Sequence, residues 1–237
     1  MTSNTMDSSK LLVLKNLSVW YTQGKHVLDN LSMELRTNEV VGLIGLNGAG
    51  KTTFIKTLSG LLDSFQIKTA LWKDKPLKFR DRDFKKSRYT VFAEDHSFQY
   101  FTFREYASYV ATSYERKLSD IDDLVQGFHF EEYTDVLLKE LSTGNLKKAY
   151  LITAFALKPK LLMLDEPVNG LDFQSTEYLY RQIGGYRRYG TILFSSHILE
   201  SICLTSDCVL VLEQGQIKRS FTGQEIESSN IRDALKV

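Results

Sequence analysis

Cysteine is scarce in this sequence. Among 237 residues there are 2 cysteines, Cys203 and Cys208, both within the stretch CLTSDC. Metal sites usually need more ligands than such a pair supplies. We therefore interpret both cysteines as small, buried or half-buried side chains rather than as metal ligands. This sparing use of cysteine fits a reducing compartment.

Charge of one sign and long apolar runs are also lacking. The 30 Lys and Arg residues are balanced by 29 Asp and Glu residues, so the net charge of +1 gives no argument for binding nucleic acid or an anionic membrane. No apolar run approaches the roughly 20 residues that span a bilayer. The polar start MTSNTMDSSK lacks the apolar core of a secretory signal. We expect a cytoplasmic protein that does not bind nucleic acid and reaches a membrane only through a partner.

What is present is an ordinary globular composition, with 43% hydrophobic and 25% charged residues. The Ser- and Thr-rich residues 1–10 predict a disordered tail, and residues 11–237 predict a single domain. Residues 11–21 and 26–36 predict two strands joined by a turn. The run EVVGLIG predicts a strand buried on both faces, and KTTFIKTLSGLL predicts a helix that ends near Gly60.

The rest of the chain alternates helices with buried strands. Residues 73–88 are rich in charge and predict a solvated hairpin and loop, whereas residues 97–114 are dense in aromatic side chains and residues 104–140 are mostly helical. The runs KLLMLD and TILFSS predict buried strands, and residues 207–221 predict a hairpin, followed by a short polar tail or helix. This order predicts an α/β fold with a helical insert.

A glycine-rich loop follows the first buried strand. The stretch GLNGAGKTT fits the pattern G-x-x-x-x-G-K-[ST], in which glycines let successive backbone N–H groups point into one concavity. Lys51 supplies a charge to the β- and γ-phosphates, Thr52 offers a hydroxyl to Mg²⁺, and the following helix adds its N-terminal dipole. The alternative is a purely structural turn. The predicted nucleotide site comprises Gly45, Leu46, Asn47, Gly48, Ala49, Gly50, Lys51, Thr52 and Thr53.

An acidic pair ends another buried strand. In KLLMLDEP, Asp165 and Glu166 are adjacent, and their carboxylates face different directions because side chains alternate along a strand. This suits two tasks: Asp165 can hold Mg²⁺, and Glu166 can accept a proton from the water that attacks the γ-phosphate. His197, just beyond TILFSS, is expected at the same carboxyl edge of the sheet. There it can contact the γ-phosphate and orient the water.

The motifs stand in a characteristic order. GLNGAGKTT, LSTGN, LLMLDEP, GLD and SSH resemble the motifs of the nucleotide-binding subunit of an ABC transporter, from about residue 11 to residue 218. The resemblance implies an α/β fold: a P-loop NTPase core with a mostly parallel sheet, an N-terminal antiparallel β subdomain and an inserted α-helical subdomain at about residues 97–155. It also implies hydrolysis of ATP, with ATP and Mg²⁺ bound.

The resemblance gives LSTGN a role that its local sequence leaves open. In isolation, Ser142 is equally well interpreted as the N-cap of the helix NLKKAYLITAFALK. In the family, the corresponding segment acts in trans: two subunits enclose two ATP molecules head to tail, and each phosphate loop faces the signature of the other subunit. The resemblance therefore implies that Ser142, Gly144 and Asn145 contact ATP held by a second subunit, and that Asp172 lies near the nucleotide.

The match to the family has two departures. Thr143 and Asn145 replace a glycine and a glutamine of the family's signature, and Glu94 stands where the family has a glutamine that senses Mg²⁺. Glu94 can still bind Mg²⁺, but a carboxylate cannot donate the hydrogen bond that glutamine donates. One hypothesis is slow hydrolysis by a homodimer, or an asymmetric dimer with a related subunit. Tyr21 stands where the family stacks an aromatic ring on adenine; the alternative is a packed surface tyrosine.

Within the family, the chain resembles the compact ATPase subunits of two-gene exporters of the bacteriocin, lantibiotic-immunity and peptide type. EEYTDVLLKELS lacks the glycine-rich loop of large exporters, and no large domain follows the last hairpin. The resemblance implies an integral membrane permease as partner, with the chain peripheral on the cytoplasmic face of the cell membrane. The aromatic residues 98–106 either receive the permease or form the core of the helical subdomain. A soluble ABC ATPase without a transport role and a weakly hydrolysing regulatory subunit are the alternatives.

Overall fold

The computed structural model describes residues 9–235, and most of the predicted strands and helices are present in it. The strands are β1 (Lys10–Thr22), β2 (Lys25–Arg36), β3 (Val40–Ile44), β4 (Phe65–Gln66), β5 (Thr69–Trp72), β6 (Lys75–Pro76), β7 (Arg88–Val91), β8 (Leu161–Asp165), β9 (Thr191–Ser196), β10 (Cys208–Glu213) and β11 (Gln216–Thr222). The helices are α1 (Lys51–Leu58), α2 (Arg82–Ser87), α3 (Phe103–Tyr114), α4 (Ile121–Gly127), α5 (Thr143–Leu157), α6 (Phe173–Gly185), α7 (Leu199–Thr205) and α8 (Ser228–Leu235). Short 3-10 helices lie at Glu131–Tyr133, Leu138–Glu140, Tyr186–Arg188 and Gly223–Glu225.

The strands form one antiparallel and one mostly parallel sheet. In the first sheet β1 pairs with β2, β4 and β5, and β6 extends it beyond β5. The second sheet has the order β11-β10-β3-β9-β8-β7, in which β11 pairs antiparallel with β10 and the other neighbours are parallel. These sheets confirm the predicted fold class, a P-loop NTPase core with an N-terminal antiparallel sheet.

The parallel strands β3, β8 and β9 are buried at every position because both faces of their sheet are covered. In β3, Val41 and Leu43 face the first sheet and α1, whereas Val40 and Ile44 face the cluster formed with the helices on the other side. α1 lies between the sheets with Phe54 fully buried. Burying such a side chain contributes roughly 1.5–3 kcal/mol to the stability of the fold. The alternation along β3 therefore fixes which side of the sheet each residue faces up to the start of the following loop.

The helices α3, α4 and α5 stand between β7 and β8, which are neighbours in the sheet. The chain therefore leaves the sheet at the end of β7, forms these helices, and returns to the sheet as β8, directly beside β7. The buried rings of Phe103 and Phe130 lie 5.2 Å apart edge to face, in the same cluster as Ile44 of the sheet. That residues 97–155 form a distinct subdomain within residues 11–237 remains a prediction.

Two local predictions need correction. Residues 1–8 of the predicted tail lie outside the described residues, but Lys10 already belongs to β1, where its ammonium pairs with Glu34 at 2.9 Å. The charged residues 73–88 are not all hairpin and loop, because they include α2. This helix forms because Phe84 is buried with its ring 5.0 Å from that of Trp72.

Of the two alternatives predicted after the last hairpin, a polar tail or a helix, the structure shows a helix at Ser228–Leu235. In α8, Ile231 and Ala234 lie three residues apart, on one face of the helix, and are buried in the main core. Among residues 9–235, no helix is both long enough and apolar enough to cross a membrane.

Candidate functional site

The loops that follow β3, β8 and β9 meet at one edge of the second sheet. These strands are parallel neighbours, so their carboxyl ends lie side by side. β3 leads into the glycine-rich loop (residues 45–53), β8 into Glu166 and β9 into His197. The topology thus brings together groups that are far apart in the sequence.

The glycine-rich loop turns tightly into α1. Gly48 and Gly50 have φ angles of 82° and 109°, in the left-handed region that favours glycine. A side chain at Gly50 would meet Leu28 at 2.6 Å. Gly50 is also the N-cap of α1 and provides no side-chain cap. The first N–H groups of this helix are therefore available to an anion such as a phosphate.

Lys51, a residue of the glycine-rich loop, extends its side chain between the backbone of this loop and the acidic pair. Its buried Nζ donates to the carbonyl of Gly45 at 2.8 Å and lies 3.6 Å from Oε1 of Glu166. Thr52, the next residue of α1, is half-buried. The loop therefore places an ammonium and a hydroxyl at the start of one helix, as the motif predicts for binding phosphate and Mg²⁺.

Tyr21, near the end of β1, lies beside the same helix start. Its hydroxyl is 3.2 Å from Oγ1 of Thr53, within hydrogen-bonding distance, and the side chain is 58% exposed. The ring is thus anchored at its tip next to the glycine-rich loop while most of its surface is open. This is the arrangement that a ring stacked on a nucleotide base requires, and the stacking itself remains a prediction.

Asp165 is fully buried, and its two oxygens differ in their partners. Oδ1 accepts a hydrogen bond from the hydroxyl of Ser195 at 2.6 Å, whereas Oδ2 is buried without a hydrogen-bond partner among the described residues. A buried carboxylate oxygen without a partner is costly, and Mg²⁺ or its bound water would satisfy it. Residues 9–235 hold no cluster of three or more His, Cys, Asp or Glu able to bind a metal. Proteins usually bind Mg²⁺ through one or two carboxylates together with phosphates.

Glu166 is the first residue after β8, so alternation along the strand does not set its direction, and its partners differ from those of Asp165. It has a φ of 47°, its backbone N–H donates to Oγ of Ser195 at 2.9 Å, and its Oε2 lies 2.8 Å from Nδ1 of His197. Oε1 points towards Lys51. The carboxylate is therefore oriented from two sides, next to the ammonium that is predicted to hold phosphate, which is where a general base must stand.

Glu94 is exposed and lies in the Glu94 segment (residues 92–97), which follows β7 beside the acidic pair. The buried ammonium of Lys147 in α5 donates to the carbonyls of Phe92 and Ala93 at 2.6 and 2.8 Å. Burial lowers the pKa of Lys147 to about 8, against the opposing influence of the carboxylates of Asp165, Asp95, Glu166 and Glu94. Glu94 thus shares an electrostatic environment with the acidic pair, and its role as a Mg²⁺ ligand stays a prediction.

The signature segment (residues 141–145) opens α5. Ser142 is the N-cap, and its Oγ accepts a hydrogen bond from the N–H of Asn145 at 3.2 Å. Among the described residues, no hydrogen bond or ion pair joins this segment to the glycine-rich loop. Within one chain, the predicted contacts of Ser142, Gly144 and Asn145 are thus separate from the rest of the site.

The signature segment does contact the segment that contains Asp172. Gly144 lies so close to the carbonyl of Gly170 that a Cβ at this position would clash with it. One turn later, Nζ of Lys148 pairs with Oδ2 of Asp172 at 2.7 Å. Burial alone would raise the pKa of Asp172, but hydrogen bonds from Lys148 and Ser175 lower it well below its usual range. The side chain of Asp172 caps α6 and pairs with Lys148, and its contact with nucleotide remains a prediction.

The aromatic residues after the Glu94 segment divide into two groups. Phe103 and Tyr106 are buried core residues, whereas Phe98, Tyr100 and Tyr109 are exposed by 38%, 76% and 49%. The rings of Phe98 and Tyr109 lie 5.1 Å apart, at the edge of a cleft of about 360 Å³ between the sheet and α3. Phe103 and Tyr106 thus belong to the core of the helical region, as one alternative predicts, whereas binding of the permease by the exposed rings remains a prediction. We call Phe98, Tyr100 and Tyr109 the aromatic surface.

The sequence did not reveal several residues that organise the site. Ser195, which bridges Asp165 and Glu166, gave no signal beyond its place near the end of a buried strand. Lys147 and Lys148 follow the signature segment directly, but nothing in the sequence indicates that one reaches the Glu94 segment and the other Asp172.

Comparison with known proteins gives matches over most of the chain. The family model described as "ABC transporter" matches residues 28–169. The "Putative ABC transporter ATP-binding protein AlbC" of Bacillus subtilis (strain 168) is 36% identical over 219 residues, 88% of this chain and 90% of AlbC. The "Zinc import ATP-binding protein ZnuC" of Hydrogenovibrio crunogenus (strain DSM 25203 / XCL-2) is 31% identical, over 88% of this chain and 81% of ZnuC.

A solved structure of an ATP-binding subunit of an ABC transporter has the same fold. It superposes with a TM-score of 0.82 at 26% sequence identity, and the match covers 94% of this chain and 92% of that one. The similarity therefore includes both sheets and the helices between them.

Proposed function

We propose that this chain, which belongs to the ABC transporter family and is an ATP-binding, ATP-hydrolysing subunit, completes its ATP sites with a second subunit of the same kind. In this proposal the chain drives a separate membrane permease. The observation that carries the chemical part of this proposal is the position of Glu166. Its carboxylate stands between Lys51 and His197 at the carboxyl edge of the sheet.

In the proposed reaction, the glycine-rich loop and Lys51 hold the β- and γ-phosphates of ATP. A water oxygen attacks the γ-phosphorus, its proton passes to the carboxylate of Glu166, and the bond from that phosphorus to the β-bridging oxygen breaks, releasing ADP and phosphate. His197 orients the water and Glu166, since its Nδ1 lies 2.8 Å from Oε2. Tyr21 stacks on the adenine.

The residues proposed to hold Mg²⁺ are Thr52, Asp165 and Glu94. The partnerless Oδ2 of Asp165 supports this role most directly. When bound, Mg²⁺ would neutralise charge on the β- and γ-phosphates. Ser195 keeps Asp165 fixed through the other oxygen.

The separation of the signature segment from the glycine-rich loop supports a dimeric site. Ser142 and the first N–H groups of α5 form a helix start suited to an anion, yet they have no described link to Lys51. A second subunit, identical or related, would bring its own signature segment to the γ-phosphate held by the first. Asp172 and Asn145 would lie at this interface.

The aromatic surface is the proposed binding site for the permease. Three partly exposed aromatic rings, of which Phe98 and Tyr109 line a cleft, suit an apolar segment of another protein. This would hold the chain peripherally on the cytoplasmic face of the membrane. The position of these rings directly after Glu94 would let the permease sense the nucleotide site.

For the cargo, we propose export of a peptide, bacteriocin or drug-like molecule. Support comes from the sequence before the signature segment, which lacks the glycine-rich loop of large exporters. Import is the second candidate, because ZnuC, a zinc import protein by name, is 31% identical to this chain. Transport by the chain and its permease in inverted membrane vesicles distinguishes the two: ATP-dependent uptake into such vesicles indicates export, and ATP-dependent release of preloaded cargo indicates import.

The test of the chemistry is the substitution Glu166→Gln. We expect ATP hydrolysis to fall by about 100-fold or more, because the general base is lost, while binding of ATP measured by equilibrium dialysis persists. The matched control is Glu132→Gln, the same change at an exposed position, which should hydrolyse ATP as the unchanged protein does. Retained hydrolysis in Glu166→Gln would contradict the assignment of the base.

A further inference from the structure

We propose that Lys147 is a positioning residue, which fixes the backbone of the Glu94 segment to the helix that begins with the signature segment. The inference rests on the proposed function, since it concerns how Glu94 and the aromatic surface are connected to the signature segment. It goes beyond that function because neither the motifs nor the relatives assign Lys147 a role.

The contacts tie the Glu94 segment to α5 at both of its ends. Lys147 donates to the carbonyls of Phe92 and Ala93 at 2.6 and 2.8 Å, and the hydroxyl of Tyr150 donates to the carbonyl of Ser97 at 2.8 Å. Lys147 and Tyr150 lie three residues apart and so share one face of α5. Both are buried, with 4% of each residue exposed. Glu94 lies between these two attachments.

Packing alone does not account for a lysine here. Among the described residues, Lys147 forms no ion pair within 4.0 Å, and its ammonium donates to the two backbone carbonyls of the Glu94 segment. Burial lowers its pKa to about 8, so the fold must bear the cost of a buried cation. An apolar side chain of similar volume would be cheaper. What the ammonium adds is a fixed backbone next to Glu94.

The position of Lys147 decides which parts of the protein this attachment connects. The Glu94 segment leads into Phe98 of the aromatic surface, and α5 begins at Ser142. A displacement of Phe98 by the permease is therefore passed through Lys147 and Tyr150 to α5. Lys148, the next residue of α5, forms an ion pair with Asp172 and so connects the same helix to the segment that contains Asp172. α5 thus connects the signature segment to two different loops through two neighbouring lysines.

The experiment compares Lys147→Met, Lys147→Arg and the matched control Lys148→Met in the purified full-length chain. Methionine keeps the length and removes the donors; arginine keeps charge and donors. Amide hydrogen exchange of residues 92–97, measured without ATP, reports the attachment. For Lys147→Met we expect exchange there to rise by about tenfold, because strong hydrogen bonds to a charged donor are lost.

Steady-state hydrolysis supplies the second readout. For Lys147→Met we expect kcat to fall by about tenfold with KM for ATP changed by less than about twofold, because Glu94 is displaced while the glycine-rich loop is intact. Lys147→Arg should restore both exchange and kcat towards the original values. Lys148→Met should leave exchange of residues 92–97 unchanged and speed it in residues 169–172.

Either of two results overturns the proposal: unchanged exchange of residues 92–97 in Lys147→Met, or a Lys147→Arg protein as impaired as Lys147→Met. Failure of the proposed function is seen separately. If the unsubstituted chain did not hydrolyse ATP, that function would fail, while the exchange comparison, which needs no nucleotide, would still decide the role of Lys147.

Discussion

At the scale of single residues, the acidic pair depends on one buried hydroxyl. Ser195 donates to Oδ1 of Asp165 and accepts from the N–H of Glu166, so it sets the positions of both carboxylates at once. The left-handed φ of 47° at Glu166 turns its side chain away from that of Asp165 and towards Lys51 and His197. Two adjacent acids can thereby perform different tasks.

We predict that Ser195→Ala lowers kcat by roughly tenfold and the free energy of unfolding by about 1–3 kcal/mol, because the partners of a buried hydrogen-bonding group are left unsatisfied. Kinetics and denaturant unfolding check this. The control is Thr153→Ala, which removes a buried hydroxyl bonded within α5 to the carbonyl of Ala149. The control should lose stability while keeping kcat. Unchanged kcat in Ser195→Ala would contradict the positioning of the acids.

A second residue-scale prediction concerns Tyr21. We expect Tyr21→Ala to weaken ATP binding by about tenfold, since stacking of a base on an aromatic ring contributes roughly 1–3 kcal/mol. Tyr21→Phe keeps the ring and loses the contact with Thr53, so it should bind almost as well. Titration calorimetry with ATP in the Glu166→Gln background measures both. If the phenylalanine and alanine variants bind equally, the tyrosine is a surface residue and does not stack.

At the scale of elements, α5 organises the candidate site. Its N-cap Ser142 belongs to the signature segment, its first turn packs Gly144 against Gly170, and its next turn sends Lys147 and Lys148 to different loops. The helix is buried along most of its length, and these contacts connect the signature segment to both loops.

The departures from the family's signature also belong to this element. We predict that Thr143→Gly with Asn145→Gln raises kcat of the chain assembled with its permease, by severalfold or more, if the natural residues slow hydrolysis. The glycine costs about 0.5–1 kcal/mol of helix stability, so melting temperature is measured alongside the rate. Asn230→Gln in α8 is the control for the amide change. No gain in kcat would exclude an impaired signature as the cause of slow turnover.

At the scale of the whole molecule, three of the eight exposed large hydrophobic side chains of the described residues form the aromatic surface that follows the Glu94 segment. Phe98 and Tyr109 lie together at the cleft formed by the sheet and α3, and Tyr100 follows Phe98 by two residues. The buried half of the aromatic cluster holds α3 in place, which keeps the exposed half in a fixed arrangement. Such a preformed surface loses little entropy when a partner binds.

We predict that Phe98→Ala with Tyr100→Ala releases the chain from its permease and leaves ATP binding of the purified chain unchanged. Co-purification from native membranes in mild detergent measures assembly, and mass spectrometry identifies the permease and any second ATPase subunit. Leu204→Ala, which alters another exposed apolar residue at 64% exposure, should co-purify normally. If the double variant still co-purifies, the permease binds elsewhere.

The sequence by itself determined the parts of this protein that are local or periodic. Apolar runs such as VVGLI and LLMLD identify strands buried on both faces, and the glycine-rich loop with Lys51 identifies phosphate binding, because a few adjacent residues carry the whole geometry. The capping of α5 by Ser142 was predictable for the same reason.

The tertiary structure alone decided the contacts between distant segments. The bridge of Ser195 to both acids, the approach of Gly144 to Gly170 and the attachment of Lys147 to Phe92 all join residues from segments that are distant in the sequence. No local pattern encodes such pairs, because they follow from strand order and from the packing of α5 against the sheet. The same packing decides which aromatic rings are buried and which form the aromatic surface. The spacing of these rings in the sequence does not distinguish the buried ones from the exposed ones.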